Sequence, residues 1–376
     1  DVWVNDVQVG SHTGGYAPFT FDVTAALHKK GENTLKVRVW DPTERGEQPR
    51  GKQTSAPGGI WYTPVSGIWQ TVWLEPVPQR YIAGLRTTPD IDRRTLRIEA
   101  DVPDAEPNDR IEVTVMDGER TVATAVALPG VAAEAAMPAD MKLWSPDSPF
   151  LYDLRVTLKS GKETVDEVKS YAAMRKFSTA RDADGIVRLQ LNNRDLFMFG
   201  PLDQGWWPDG LYTAPSDEAL AFDVIKTKDL GYNMIRKHVK VEPARWYYHC
   251  DKLGMIVWQD MPSGDRGPQW QMHNYFTGEE KHRSAESEAN FRKEWKEIID
   301  YLYSSPSIGV WVPFNECWGQ FKTQEIVEWT KAYDPSRLVN PASGGNHYLT
   351  GDILDTHHYP NPRLTLLDTN RATVLG

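Results

Sequence analysis

Five short segments of this chain end an apolar stretch with side chains that can move protons or hold hydroxyl groups. GPLDQGWWPDG carries Asp203, Gln204, Trp206 and Trp207, and MIRKH carries Arg236 and His238. MIVWQD ends in Trp258 and Asp260, and IGVWVPF runs into Asn315, Glu316 and then Trp318. GDIL runs into Asp355, His357, His358 and Tyr359. Carboxylates serve acid/base work, Asn and His hold hydroxyls, and indoles stack on the apolar face of a sugar ring. Together they suit a carbohydrate substrate. Each also has a structural reading: Trp206 and Trp207 could be core packing, and an Asp at a strand end could bridge loops. Glu316 is different, because an acid directly after an apolar strand has no packing role there. Neighbouring His357 and His358 point to opposite faces of a strand, so one ion rarely takes both, and neither a metal nor another cofactor is expected.

These residues need a frame that brings strand ends together. From residue 179 to 376, strands alternate with helices: strands over 196–200, 232–238, 255–260, 308–314, 337–340, 352–358 and 372–375. Between them, Ser216 caps a helix closed by Leu230-Gly231, Pro243 to Leu253 forms another, and Phe291, Trp295, Ile298 and Leu302 make a helical stripe. Thr323 to Tyr333 gives a fourth helix. Repeated βα units predict a parallel (β/α)8 TIM barrel, here strands one to seven of it, with a doubly wound sheet as the alternative. In a barrel, all five segments would meet at the C-terminal rim. Residues 79–178 read as an immunoglobulin-like β-sandwich, carried by LRIEADV, RIEVTVMD and LYDLRVTLKSG. Residues 1–78 alternate like a β-sandwich of the jelly-roll kind, with a polar Gly/Pro/Arg loop over 41–59 and aromatic-rich strands over 60–75.

The chain of 376 residues has 42 basic and 52 acidic side chains, a net charge of -10, and no long basic cluster. That argues against nucleic acid. No apolar run approaches the roughly 20 residues of a membrane helix, so no membrane partner is expected. Cys250 and Cys317 are read as free structural thiols, and 15 Trp residues are an unusual aromatic load. The compartment stays open: a leader could precede Asp1 and direct the protein to the periplasm or outside.

The residues resemble glycoside hydrolase family 2, which contains β-galactosidases, β-glucuronidases and β-mannosidases, over nearly the whole chain. VWVNDVQVGSHTGGYAPFTFDVT and SGIWQTVWLEPV look like its sugar-binding jelly roll, and LWSPDSPFLYDLRV looks like its immunoglobulin-like domain. GYNMIRKHV, WYYHCDKLGMIVWQDMP and PSIGVWVPFNECWGQ look like barrel strands two to four. The resemblance implies a retaining exo-acting β-glycosidase in which Glu316 is the general acid/base, with a raised pKa, and Asn315 holds the sugar's 2-hydroxyl. Asp203, Trp206, Trp207, Arg236, His238, Asp260, Trp318, His357, His358 and Tyr359 would line the substrate. The family's nucleophile, a Glu ending strand seven, would follow Gly376, so the barrel and jelly roll are expected to be partial here and the chain as written inactive. Open barrel edges would invite pairing with another copy, which leaves a homo-oligomer open. GPLDQGWWPDG departs from the Arg/Asn/His-rich segment of many β-galactosidases, leaving the sugar unnamed. A non-catalytic carbohydrate-binding relative and a structural β protein with core Trp are the competing readings.

Overall fold

The computed structural model describes residues 1–265, 279–366 and 370–376. Its best-formed β unit spans Gly84 to Ala172. One antiparallel sheet has the order Glu163–Ala172, Tyr152–Ser160, Asp109–Asp117, Arg120–Ala127, and the other joins Gly84–Asp90, Thr95–Asp101 and Ala133–Ala136. Alternation decides which side faces in: Leu96, Ile98 and Ala100 from one sheet meet Val113, Val115, Leu154 and Val156 from the other. The intervening polar residues stay at the surface, as a half-buried antiparallel strand requires. This sandwich matches the fold expected for the middle of the chain.

The strands after it are buried on both faces. Leu202–Asp203, Met234–Lys237, Ile256–Asp260, Ile308–Val312 and Leu338–Val339 form one parallel sheet in that order. Every residue of Ile256–Asp260 and Ile308–Val312 is buried, the signature of a sheet covered on both sides. Helices α1 (Asp217–Asp229), α2 (Ala244–Leu253), α3 (Ala285–Leu302) and α4 (Thr323–Tyr333) supply the outer cover. Trp246, Phe291, Trp295, Ile298 and Val327 pack there against Val257 and Trp311. The inner face is filled by Trp258, Val310, Val312, Leu338, Ile353 and Ala372, plugged by Trp144, Phe177, Leu189 and Leu191. The last three come from a separate antiparallel meander, Phe177–Arg181, Val187–Leu191 and Arg194–Asp195. Two short parallel pairs continue the sheet, Phe314–Asn315 with Ala342–Ser343 and Ile353–Thr356 with Ala372–Leu375. Among the described residues the strands do not close into a complete ring.

Two expectations need correction. The first parallel strand is Leu202–Asp203, not 196–200. There the Asn233 side chain takes the place of a ladder: it accepts from the Phe199 amide (2.8 Å) and donates to the Phe197 carbonyl (2.9 Å). The N-terminal unit is also less regular than a jelly roll. It has Val2–Val4, Val7–Gly10 and Leu35–Val37 as strands, and residues 66–77 form none. A strand needs a neighbouring strand to pair with its backbone, and this stretch has no such ladder among the described residues; Val72, Trp73 and Leu74 are exposed.

Candidate active site

The sequence places Glu316 directly after a buried strand, and the structure turns the chain sharply there. Glu316 and Cys317 have φ of 45° and 64°, a left-handed conformation that costs on the order of 1 kcal/mol per non-glycine residue. The turn is pinned by the Glu316 amide donating to the Ser343 carbonyl at 2.9 Å. Glu316 Oε1 lies 2.7 Å from His357 Nδ1 and accepts from the Tyr359 hydroxyl at 3.2 Å. Oε2 has no hydrogen-bond partner among the described residues, so it is the oxygen open to a ligand. Burial pushes this carboxyl up, but the His357 bond, the Tyr359 hydroxyl and the Arg236 charge outweigh it, and Glu316 sits below its usual value. The expectation of a raised pKa is therefore corrected: this arrangement favours the carboxylate.

A buried network sets the neighbours. Arg236 Nε and NH2 grip both oxygens of Asp260 at 2.9 Å each, a bidentate pair. NH2 also donates to Asn315 Oδ1 (2.9 Å), and NH1 donates to Ser343 Oγ (2.6 Å). With its carbonyl oxygen held by Arg236, Asn315 keeps its Nδ2 free of protein partners among the described residues and able to donate to a hydroxyl. His238 Nδ1 is 2.7 Å from Asp260. Burial lowers His238 to about 4 against the pull of Asp260, so its ring is neutral at ordinary pH. Burial raises the Asp260 carboxyl, yet Arg236 and His238 hold it below the usual range. Ser343 also donates to Asp355 and lies 3.0 Å from His357 Nε2. Gly344 belongs to this corner by necessity, since its φ is 61° and an added Cβ would run into the His357 ring.

Most of the residues expected at the rim meet here: Asn315, Glu316, Arg236, His238, Asp260, His357 and Tyr359. Trp318 joins them, its ring 6.2 Å from that of His238. His358 is half-buried one position beyond His357. The first segment behaves differently. Asp203 accepts from the buried Lys237 ammonium (2.7 Å) and from the Gly205 amide (2.8 Å), which makes it a structural ion-pair partner. Trp206 lies flat on Tyr62 at 4.6 Å and tilts against Tyr212 at 4.5 Å, so aromatic packing occupies it. Trp207 is half-buried, with backbone bonds to Leu211 in both directions. No group of three or more His, Cys, Asp or Glu side chains among the described residues is arranged to hold a metal.

What sequence reading missed comes from the N-terminal unit. The polar loop before Gly59 lies against the strand-three end of the parallel sheet: the Arg50 and Gly51 amides donate to Ser263 and Pro262 carbonyls at 3.2 and 2.9 Å. This seam admits no side chain, because a Cβ on Gly51 (φ 62°) would strike the Val239 carbonyl and one on Gly264 (φ 63°) the Gly51 carbonyl. The loop brings Trp61 into stacking with Trp318 (5.3 Å) and sets Lys52 over the same Trp318 ring at 5.6 Å. Its Arg and Lys content, with Trp61 just after it, was the available signal.

Two family profiles match the chain: Glycosyl hydrolases family 2 over residues 80–175, and the TIM barrel domain of Glycosyl hydrolases family 2 over residues 190–369. A putative beta-glucuronidase of Formosa agariphila is 26% identical over 324 residues, 84% of this chain and 36% of that protein. A beta-galactosidase of Lactococcus lactis is 26% identical over 361 residues, 93% of this chain and 32% of that protein. The chain thus spans about a third of the length of these curated relatives. Among solved structures, a beta-glycosidase from Bacteroides vulgatus superposes with a TM-score of 0.73 at 21% identity, covering 96% of this chain and 44% of that one. Bacteroides uniformis beta-glucuronidase gives 0.70 at 24% identity, covering 90% and 42%. These likenesses carry the fold, a sandwich followed by a barrel-type parallel sheet. With one profile on the sandwich and the other on the parallel-sheet unit that carries Glu316, the chain belongs to glycosyl hydrolase family 2.

Proposed function

We propose that the protein containing this chain is a retaining, exo-acting β-glycosidase that hydrolyses β-galactosides or β-glucuronides. The observation that carries this reading is the Glu316 carboxyl, held on one oxygen by His357 and Tyr359 while the other has no hydrogen-bond partner among the described residues. In this cycle Glu316 protonates the glycosidic oxygen, a second carboxylate about 5 Å away attacks the anomeric carbon, and Glu316 then takes a proton from water. The second carboxylate belongs at the end of the seventh strand in this family. Strand Ala372–Leu375 runs toward the same corner, since a Cβ added to Gly376 would lie 2.6 Å from His357 Nε2. Its negative charge would raise the Glu316 pKa and supply the protonated form that the first step needs. Asn315 is suited to the sugar's 2-hydroxyl, and Arg236 acts through Asn315 and Ser343 as a positioning residue.

The test uses the full-length protein and its Glu316→Gln variant on aryl β-glycosides with good and poor leaving groups. Hydrolysis of poor leaving groups should fall by roughly 100-fold or more, while activated aryl glycosides still react and azide restores turnover as a β-glycosyl azide. Unchanged turnover of poor leaving groups would remove Glu316 from the mechanism. A wild-type protein that binds sugars without turning any over would favour the non-catalytic relative.

A further inference from the structure

Lys52 is a buried cation with no hydrogen-bonded or ion-paired partner for its ammonium among the described residues. The residue is 7% exposed, brought in from the N-terminal loop that the Gly51–Pro262 seam docks onto the sheet. Its ammonium lies over Trp318 at 5.6 Å and is electrostatically coupled to Glu316, Arg236 and Asp260. Yet no hydrogen bond or ion pair engages it among the described residues. The other buried cations of this region are saturated. Arg236 spends its donors on Asp260, Asn315 and Ser343. Lys237 holds Asp203 and Glu242, and Lys240 holds Glu242 and two carbonyl oxygens. A charged group on a buried side chain gains most when an anion meets it. Glu316 and Asp260 lie near enough to act on it electrostatically, but no ion pair joins either to Lys52 among the described residues.

We infer that Lys52 is the specificity-determining residue that binds the carboxylate of an acidic sugar, so that the substrate class is β-uronides and the selecting group comes from the N-terminal unit. This rests on the hydrolase reading above and narrows it. The geometry is that of a cation beside, not within, the acid/base pair. A sugar held by Asn315 beside Glu316 would carry its exocyclic carboxylate toward the lysine, whose ammonium lies over Trp318. A neutral sugar would leave the ammonium unmet.

The experiment compares matched aryl glycosides that differ only at the exocyclic carbon, β-glucuronide with β-glucoside and β-galacturonide with β-galactoside, on the full-length protein. Wild-type kcat/KM should favour the acid of at least one pair. Lys52→Gln should lower kcat/KM for that acid roughly 10–100-fold and for its neutral partner less than threefold, with Lys52→Arg restoring much of the preference. Equal losses on acid and neutral substrates would overturn the proposal, because Lys52 would then be supporting the catalytic carboxylates. The methyl ester of the preferred uronide needs no variant and covers the case in which Lys52→Gln does not fold: wild type should discriminate against it by a similar factor, and equal turnover of ester and acid would also overturn the proposal. If no glycoside is hydrolysed, the hydrolase reading fails first, and calorimetric binding of free glucuronate against glucose still decides the Lys52 proposal. Equal affinity for the two rejects it.

Discussion

The sandwich and the N-terminal unit are both β-structure, yet they hold themselves together in opposite ways. The sandwich has a core of its own, with Leu96, Ile98, Val115, Val156 and Leu158 all fully buried. It docks on the parallel-sheet unit through a few strong polar anchors: Trp144 Nε1 donates to the Asp251 carbonyl (2.7 Å), the Tyr171 hydroxyl to Asp251 Oδ2 (2.8 Å), and Arg175 to the Pro306 and Ser336 carbonyls. The N-terminal unit has only Val2, Val4, Tyr16, Ala26 and little else buried, and Tyr16 belongs to the core of the parallel-sheet unit. It is ordered by what it touches: Tyr16 meets Tyr212, Lys293 donates to the Thr13 carbonyl, and the 50–62 loop lies on the rim. The self-sufficient unit stays away from the chemistry, and the dependent one supplies part of the site.

Three measurements would break or sharpen this contrast. Leu158→Ala should cost about 3–4 kcal/mol, seen as a large drop in melting temperature, while kinetics per folded molecule stay unchanged. An altered KM in the folded fraction would mean that the sandwich also shapes the site.

A smaller effect is expected where the N-terminal unit meets α3. Glu294 is buried beneath Gly14, with Lys293 and Glu297 beside it and Asn290 donating at 2.8 Å; burial pushes its carboxyl up to about 7. A folded pKa above the unfolded value gives stability that is full below about pH 4.5 and lost as the pH rises through about 7, on the order of 3 kcal/mol at most. Glu294→Gln should flatten the melting temperature between pH 5 and 8. A profile as steep as the wild type's would exclude Glu294 as the source.

The smallest change is at the loop itself. Trp61→Ala removes the ring stacked on Trp318 and should lower kcat/KM by about fivefold, roughly 1 kcal/mol, with little loss of melting temperature. A large stability loss with normal kinetics would make Trp61 part of the packing only.

Period and strand-end chemistry made the sandwich, the βα alternation and the Glu316 corner legible in the sequence. Asn315, Glu316, Arg236, His238 and His357 follow apolar strands, and parallel strands align their ends. The partners of Asp203 and Trp206, Lys237 and Tyr62, lie 34 and 144 positions away, and no local pattern shows a long-range ion pair or stack. Lys52 and Trp61 were missed for the same reason. A polar loop looks alike whether it faces water or closes over another unit's rim.

The main-chain seam joining Gly51 to Pro262 has a consequence for how the protein is made. Its two sides are separated by roughly two hundred residues, and ribosomes add about 5–20 residues each second, so the N-terminal unit waits on the order of 10–40 s before its docking partner exists. Throughout that wait Tyr16 and the 50–62 loop lack the surfaces on which they settle, Tyr212 and the segment carrying Pro262. The N-terminal part of the candidate site is therefore synthesised well before the surface it docks on.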